Sequence, residues 1–368
     1  MKQIEQIQPS YGEEEISAIV NYLRQEPKPY LTEYTQARTF ENDIAKFVGA
    51  KHCSATANGT VAISLALSAL GIGKGDQVIV PDYTFVASAT ACEAVGAEPV
   101  FCDIEKETLC LDFARMKKAI TKKTKAIILV SMNGRYPTKM KEIIDYCHGK
   151  GIFVVEDAAQ SLGSECNGKY LGTLGDIGCY SFSMPKIITT GQGGACVTNS
   201  TALYERMKRI RNFGRDGQNS DHFVMKGWNF KTTDLQSVIG IEQLKKLPER
   251  VVQKMKINLK YAEGLVELKQ IKILKPQMDE GSITALCAMD ILLENKDDRT
   301  PLMNFLKEAG IQTRAFYPPL HKEPYDQKGS FKVTEDICAR GLWLPSSLNL
   351  TDEEIKYICG KIKEYFGA

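Results

Sequence analysis

The chain has 368 residues, 43% of them hydrophobic and 25% charged, enough to bury a large core in two domains that share an interface. A formal charge of +2, with the lysines spread along the chain, argues against an obligate nucleic-acid partner, and the opening MKQIEQIQPSYGEEE lacks the apolar core of a targeting signal. No apolar stretch reaches the roughly eighteen residues of a membrane span, and eleven cysteines without a CxxC pair, beside four histidines, are expected to be reduced, mostly buried thiols of a cytoplasmic protein without a metal site.

In chain order, residues 53–57 (CSATA), 77–83 (QVIVPDY), 98–104 (EPVFCDI) and 126–132 (AIILVSM) read as strands buried on both faces. The pieces between and after them, TVAISLALSALG, VASATACEAVG, LDFARMKKAI and TKMKEIIDYCHGK, are each long enough for a crossover helix. That alternation predicts a mostly parallel sheet with helices on both faces. Residues 152–159 (IFVVEDAA), 178–184 (GCYSFSM) and 193–199 (GGACVTN) raise the count to seven strands, with only a loop between the last two, and Lys186 lies in that loop.

After residue 200 a helical YERMKRIRN gives way to RDGQNSDHFVMKGWNFKTTD, a polar stretch too long for a simple connection. A helix from about Leu235 and a long helical stretch from Pro248 to Lys269 follow. ITALCAMDILLEN, DRTPLMNFLKEAG and IQTRAFYPP then read as strand, helix and strand. These predict a smaller α+β domain over residues 241–368 behind a large α/β domain over residues 1–240.

Four features of the large domain bear on chemistry. Gly59 and Thr60 stand at a strand-to-helix turn whose free N–H groups and hydroxyl suit a phosphate, although a threonine there is also an ordinary helix cap. Glu156 and Asp157 end an apolar strand, where a carboxylate either is solvated or faces a pocket at the carboxyl edge of the sheet. Phe85 follows another strand end and is a core aromatic or a stacking platform. Lys186 is a solvated loop charge or a nucleophilic amine. A phosphate cradle, a strand-end carboxylate, an aromatic plate and a loop lysine are together the parts that bind pyridoxal 5'-phosphate (PLP).

The stretches NGT, PDYTFVAS, VVEDAAQSLGS, NGKYLGTLGDIGCYSFS and PKIITTGQGGACVTN, with IQTRAFYPPLHKEPY and WLPSSLNLTDEEI near the carboxyl end, resemble the DegT/StrS family of PLP-dependent sugar aminotransferases, nearest to its perosamine-synthase-like members. The resemblance covers nearly the whole chain. It implies the fold-type-I transferase architecture, a homodimer with composite active sites, a nucleotide-linked keto sugar of the 4-keto-6-deoxy type as amino acceptor, and L-glutamate as donor. It also implies roles. Lys186 matches the lysine that bonds to the cofactor and shuttles a proton, and Asp157 the acid at the ring nitrogen. Gln160 matches the side chain near the phenolic oxygen, Phe85 the stacking aromatic, and Gly59, Thr60 and Ser181 or Ser183 the phosphate shell. Asn229 matches a residue that reaches the phosphate in the neighbouring subunit. Arg314, Tyr317 and His321 fall in the motif that borders the sugar pocket, with His321 equally readable as a partly exposed loop histidine.

Two departures concern the acceptor. The family's GEGG is Gly191-Gln192-Gly193-Gly194 here, which trades a carboxylate for an amide. Many members carry a histidine in a His-Leu-Tyr-Gly stretch where this chain has Ser131-Met132-Asn133-Gly134-Arg135. Asn133 and Arg135 are therefore expected beside the substrate. Related sugar dehydratases replace the lysine with histidine, so Lys186 disfavours that activity. A PLP-dependent lyase and a regulatory PLP-binding protein are two further readings of the same residues.

Overall fold

A computed structural model describes residues 3–217 and 220–367. Two helices come first, α1 (Glu13–Leu23) and α2 (Thr35–Val48). Strands and helices then alternate: β1 (His52–Thr56), α3 (Gly59–Ala69), β2 (Gln77–Pro81), α4 (Ala87–Ala94), β3 (Glu98–Cys102), α5 (Phe113–Ala119), β4 (Thr124–Val130), α6 (Met140–Gly149) and β5 (Phe153–Asp157). A small hairpin, β6 (Glu165–Cys166) and β7 (Lys169–Tyr170), precedes β8 (Ile177–Ser181) and β9 (Gly194–Thr198). Helices α7 (Thr201–Arg211), α8 (Asp234–Lys245) and α9 (Leu247–Leu265) lead to β10 (Ile271–Ile273), β11 (Met289–Leu293), α10 (Arg299–Glu308), β12 (Arg314–Ala315), α11 (Lys332–Arg340), β13 (Gly341–Leu344) and α12 (Asp352–Phe366).

The seven expected strands form one sheet in the order β1-β9-β8-β5-β4-β2-β3. Its interior pairs, β3·β2, β2·β4, β4·β5 and β5·β8, are parallel, while β9 runs antiparallel to both neighbours. Residues such as Val78, Val80, Ile128 and Val155 pack on one face and Ile79, Ile127, Leu129 and Val154 on the other. Burial on both faces explains why these strands read as continuous apolar runs. Parallel pairing also brings the carboxyl ends of β2, β4, β5 and β8 to one edge, where the connecting loops can converge.

A four-stranded antiparallel sheet, β10-β11-β13-β12, packs with α9, α10 and α12 around Ile291, Leu302, Leu342 and Ile358. Ile4 joins this second core, and its N–H bonds to Gly310 O at 2.9 Å. The amino-terminal segment is thereby fastened far from its sequence neighbours. Among the described residues, no helix is long and apolar enough to cross a membrane.

Candidate active site

Three turns and one loop at the carboxyl edge of the large sheet build the site. After β1, Asn58 caps α3 by accepting from Val61 N at 3.0 Å, while Ala62 N bonds to Asn58 O. The first two amides of α3, those of Gly59 and Thr60, are left for a ligand, as helix starts leave them. A Cβ on Gly59 would lie 2.8 Å from that of Ser181, so glycine is what lets the turn approach β8. Ser181 and Ser183 follow, their hydroxyls 3.3 Å apart.

After β2, Phe85 precedes α4 and keeps 49% of its surface exposed, its ring 5.6 Å from that of Tyr317. It is a cleft wall and not a core aromatic. At the end of β5, Glu156 and Asp157 separate by function. Glu156 is buried and accepts from Gly172 N, Leu174 N and Gly175 N at 2.6 to 2.8 Å, which makes it the anchor of that turn. Asp157 points the other way, taking Ser88 Oγ at 2.7 Å and Ala159 N at 3.2 Å. Burial pushes the Asp157 carboxyl above its ordinary range; the Ser88 hydroxyl, the Ala159 amide and the Lys186 charge oppose it.

The loop from β8 to β9 carries Lys186 and is pinned along its length. Thr190 N bonds to Phe182 O, Thr189 N to Gln243 Oε1, and Arg250 Nη1 to Ile187 O. Burial lowers the affinity of the Lys186 amine for its proton; Cys287 and Asp157 raise it, and the Arg314 charge lowers it further. A larger fraction of free amine at neutral pH is what a nucleophile needs.

Two of the spaces that this lysine lines bear on the site. The larger, about 1370 Å³ to its open mouth, is lined by Gly59, Thr60, Phe85, Asp157, Gln160, Ser181, Ser183, Lys186 and Gln192. The smaller is lined by Gln6, Asn133, Gln160, Lys186, Cys287, Arg314, Tyr317 and Trp343. Lys186 and Gln160 belong to both. In the larger cleft, free helix-start amides and two hydroxyls suit a phosphate, the buried Asp157 a protonated ring nitrogen, and Phe85 a flat ring. These residues fit PLP.

Two expectations need correction, those for Arg135 and His321. Arg135 is not beside the substrate: it is fully buried, ion-paired with Asp290, and donates from Nη2 to Leu274 O at 2.9 Å. A guanidinium can be buried only when its donors are satisfied in this way, so its work is to join the two sheets. Asn133 does line the smaller space, but its amide is spent on Asp290 Oδ2 and Ala288 O, both at 2.7 Å, so it forms a wall without a free polar group. His321 is buried and lines neither space; its Nδ1 lies 2.7 Å from Asp82 Oδ2 and its ring stacks on Phe331. Asn229 is exposed and outside its own chain's cleft.

Sequence reasoning missed Ser88, Cys287 and Trp343. Ser88 sits inside the stretch PDYTFVAS, three residues past Phe85, and one helical turn there was its signal. Nothing local marks Cys287, which reaches the site by tertiary folding.

The model of the DegT/DnrJ/EryC1/StrS aminotransferase family matches residues 9–363. A GDP-perosamine synthase from Escherichia coli O157:H7 is 35% identical over 329 residues, 89% of each chain. A UDP-2-acetamido-2-deoxy-3-oxo-D-glucuronate aminotransferase from Pseudomonas aeruginosa is 34% identical over 326 residues, 88% of each chain. Among solved structures, the PLP form of Spr1654 from Streptococcus pneumoniae superposes with a TM-score of 0.91 at 25% identity, covering 99% of this chain and 98% of its own.

Proposed function

The chain belongs to the DegT/DnrJ/EryC1/StrS aminotransferase family and is a PLP-dependent aminotransferase, and from that premise we propose that it carries the amino group of L-glutamate to a nucleotide-linked keto sugar. The observation that carries this reading is Lys186 standing in the wall common to both spaces. One space then holds the cofactor, and the other brings each amino partner in turn to the same amine.

When bound, PLP supplies an electron sink through which an amino group and a carbonyl oxygen exchange places. Lys186 would hold the cofactor through Nζ and, once that amine is free, would move the proton with it. Asp157 presents its charge to the ring nitrogen, Phe85 its face to the ring, and the amides of Gly59 and Thr60 with the hydroxyls of Ser181 and Ser183 bind the phosphate. Gln160 reaches both spaces and orients the phenolic side. Arg314, whose guanidinium lies 5.3 Å from the Tyr317 ring and 5.6 Å from the Trp343 ring, receives a carboxylate, and among the described residues no Asp or Glu lines the space beside it to compete. That charge pattern favours an acidic amino donor. The acceptor we assign is of the 4-keto-6-deoxy type, in keeping with the perosamine-synthase relative.

Donor alone completes the first half-reaction of a ping-pong aminotransferase. Adding L-glutamate to the PLP form should move the visible absorbance to that of pyridoxamine phosphate, one equivalent per site, with release of 2-oxoglutarate. A 4-keto-6-deoxy sugar nucleotide should return it. If glutamate, glutamine and aspartate all leave the spectrum unchanged while cofactor stays bound, a lyase or regulatory reading replaces this one.

A further inference from the structure

Behind the cleft, a short row of hydroxyls ends on Asp157. Thr84 Oγ1 lies 3.1 Å from Ser88 Oγ, and Ser88 Oγ lies 2.7 Å from Asp157 Oδ2; all three side chains are buried. Ser88 is the second residue of α4 and does not line the cleft, whereas Thr84, Phe85 and Asp157 do. The direction of these bonds follows by elimination. An ionised carboxylate only accepts, so the single proton of Ser88 goes to Asp157, and the proton between the two hydroxyls must come from Thr84. Each member of the row therefore fixes the rotor of the next.

We propose that Ser88, oriented by Thr84, is a positioning residue for aminotransfer: its hydroxyl holds Asp157 ionised and aimed, and so sets how strongly that carboxylate acts on the cofactor's ring nitrogen. The inference rests on the assignment of Asp157 above. Three groups counter the burial of Asp157, and only two of them, the Ser88 hydroxyl and the Ala159 amide, are fixed. The third is the Lys186 charge, which changes whenever that amine reacts. A hydrogen bond that persists through the cycle keeps the acid charged when the lysine does not. The same first turn of α4 follows directly on Phe85, so one element sets both the plane offered to the ring and the acid offered to its nitrogen.

The test compares Ser88→Ala, Ser88→Thr, Thr84→Val and Asp157→Asn as PLP-loaded enzymes, each checked for wild-type circular dichroism and melting. Hydrogen bonds to charged groups are strong enough that Ser88→Ala should lower kcat about tenfold or more while leaving the donor KM within about threefold. Its diagnostic readout is the pH midpoint of the cofactor's visible band. With Asp157 less firmly charged the ring nitrogen carries less positive charge, its neighbouring proton is held more tightly, and the midpoint should move up. Thr84→Val should move it the same way by less, and Ser88→Thr, which keeps the hydroxyl, should restore it. Wild-type kcat and midpoint in Ser88→Ala, beside a damaged Asp157→Asn, would overturn the proposal alone. Silence of both variants would overturn the assignment of Asp157 and the proposal with it.

Discussion

In the proposed mechanism single side chains carry the chemistry, and Lys186 carries the most. Because the loop around it is pinned by neighbours other than its amine, Lys186→Ala should abolish transfer and leave the far-ultraviolet spectrum and melting temperature near wild type. Borohydride reduction of the wild-type holoenzyme followed by peptide mapping should find the cofactor on this residue, and its recovery on another lysine would refute the assignment. Lys254 makes a second, opposite prediction. This buried amine donates to Cys287 O at 2.7 Å and to Ser346 O, and burial pushes it down to about 8 from 10.5. Below pH 8 the folded and unfolded chains both hold its proton and the burial penalty is present in full. Between about 8 and 10.5 only the unfolded chain still holds it, so stability rises with pH. The difference in unfolding free energy between wild type and Lys254→Met should therefore climb by up to about 1.4 kcal/mol per pH unit in that window. Urea denaturation at pH 7, 8, 9 and 10 measures it, and a flat difference would show that Lys254 is neutral or solvated throughout.

At the level of elements, the two sheets are joined by one buried hub. Asp290 of β11 receives Arg135 and Asn133 from the turn after β4, and Trp343 Nε1 of β13 at 2.6 Å. Arg135→Met leaves that acid buried without its counter-charge and should cost about 3–5 kcal/mol in urea unfolding; a cost below about 1 kcal/mol would mean that Asn133 and Trp343 suffice. The same hub shows what could be read from the sequence. The seven strands of the large sheet were legible because parallel strands covered on both faces are unbroken apolar runs. Lys186 and Asp157 stood out because each lies in a motif whose neighbours line the same cleft. Arg135 and His321 were misread for the reverse reason: their partners, Asp290 and Asp82, are 155 and 239 residues away, and no local pattern says that a carboxylate will fold back onto a cation. Helix α1 was missed because Ile16, Val20 and Leu23 stay exposed and Tyr22 is its one fully buried apolar side chain, so no clear apolar stripe marks it. The small sheet was only partly visible: β11 and β12 fall within the expected strands, whereas β10, of three residues, and β13, of four, were not expected.

For the whole molecule, those exposed side chains argue for a second copy. Tyr30, Leu31 and Tyr34 are exposed beside α1, and Phe213, Phe223 and Trp228 in the segment after α7. Arg211 ties the two groups together, bonding through Nη2 to Glu33 while Trp228 N bonds to Ile210 O. Asn229 stands in the same segment, whose Phe230 O accepts from Ala57 N. A closed dimer would cover this apolar side and give Asn229 a role in the other copy's phosphate site. Sedimentation should find a dimer, and Asn229→Ala should weaken cofactor binding by about tenfold, the loss of one hydrogen bond to a charged group; a fully active monomer would exclude the arrangement. The eleven thiols of the molecule have a last consequence. Ten are buried, and Cys287 alone is partly open, in the small space beside Lys186 and Lys254, whose charges pull its raised thiol back toward ionisation. A thiol reagent applied to the native protein therefore has one address per chain, inside the space assigned above to the amino partners. Its rate of capture, slowed whenever that space is filled, turns an endogenous side chain into a gauge of occupancy that needs neither turnover nor a chromophore on the substrate.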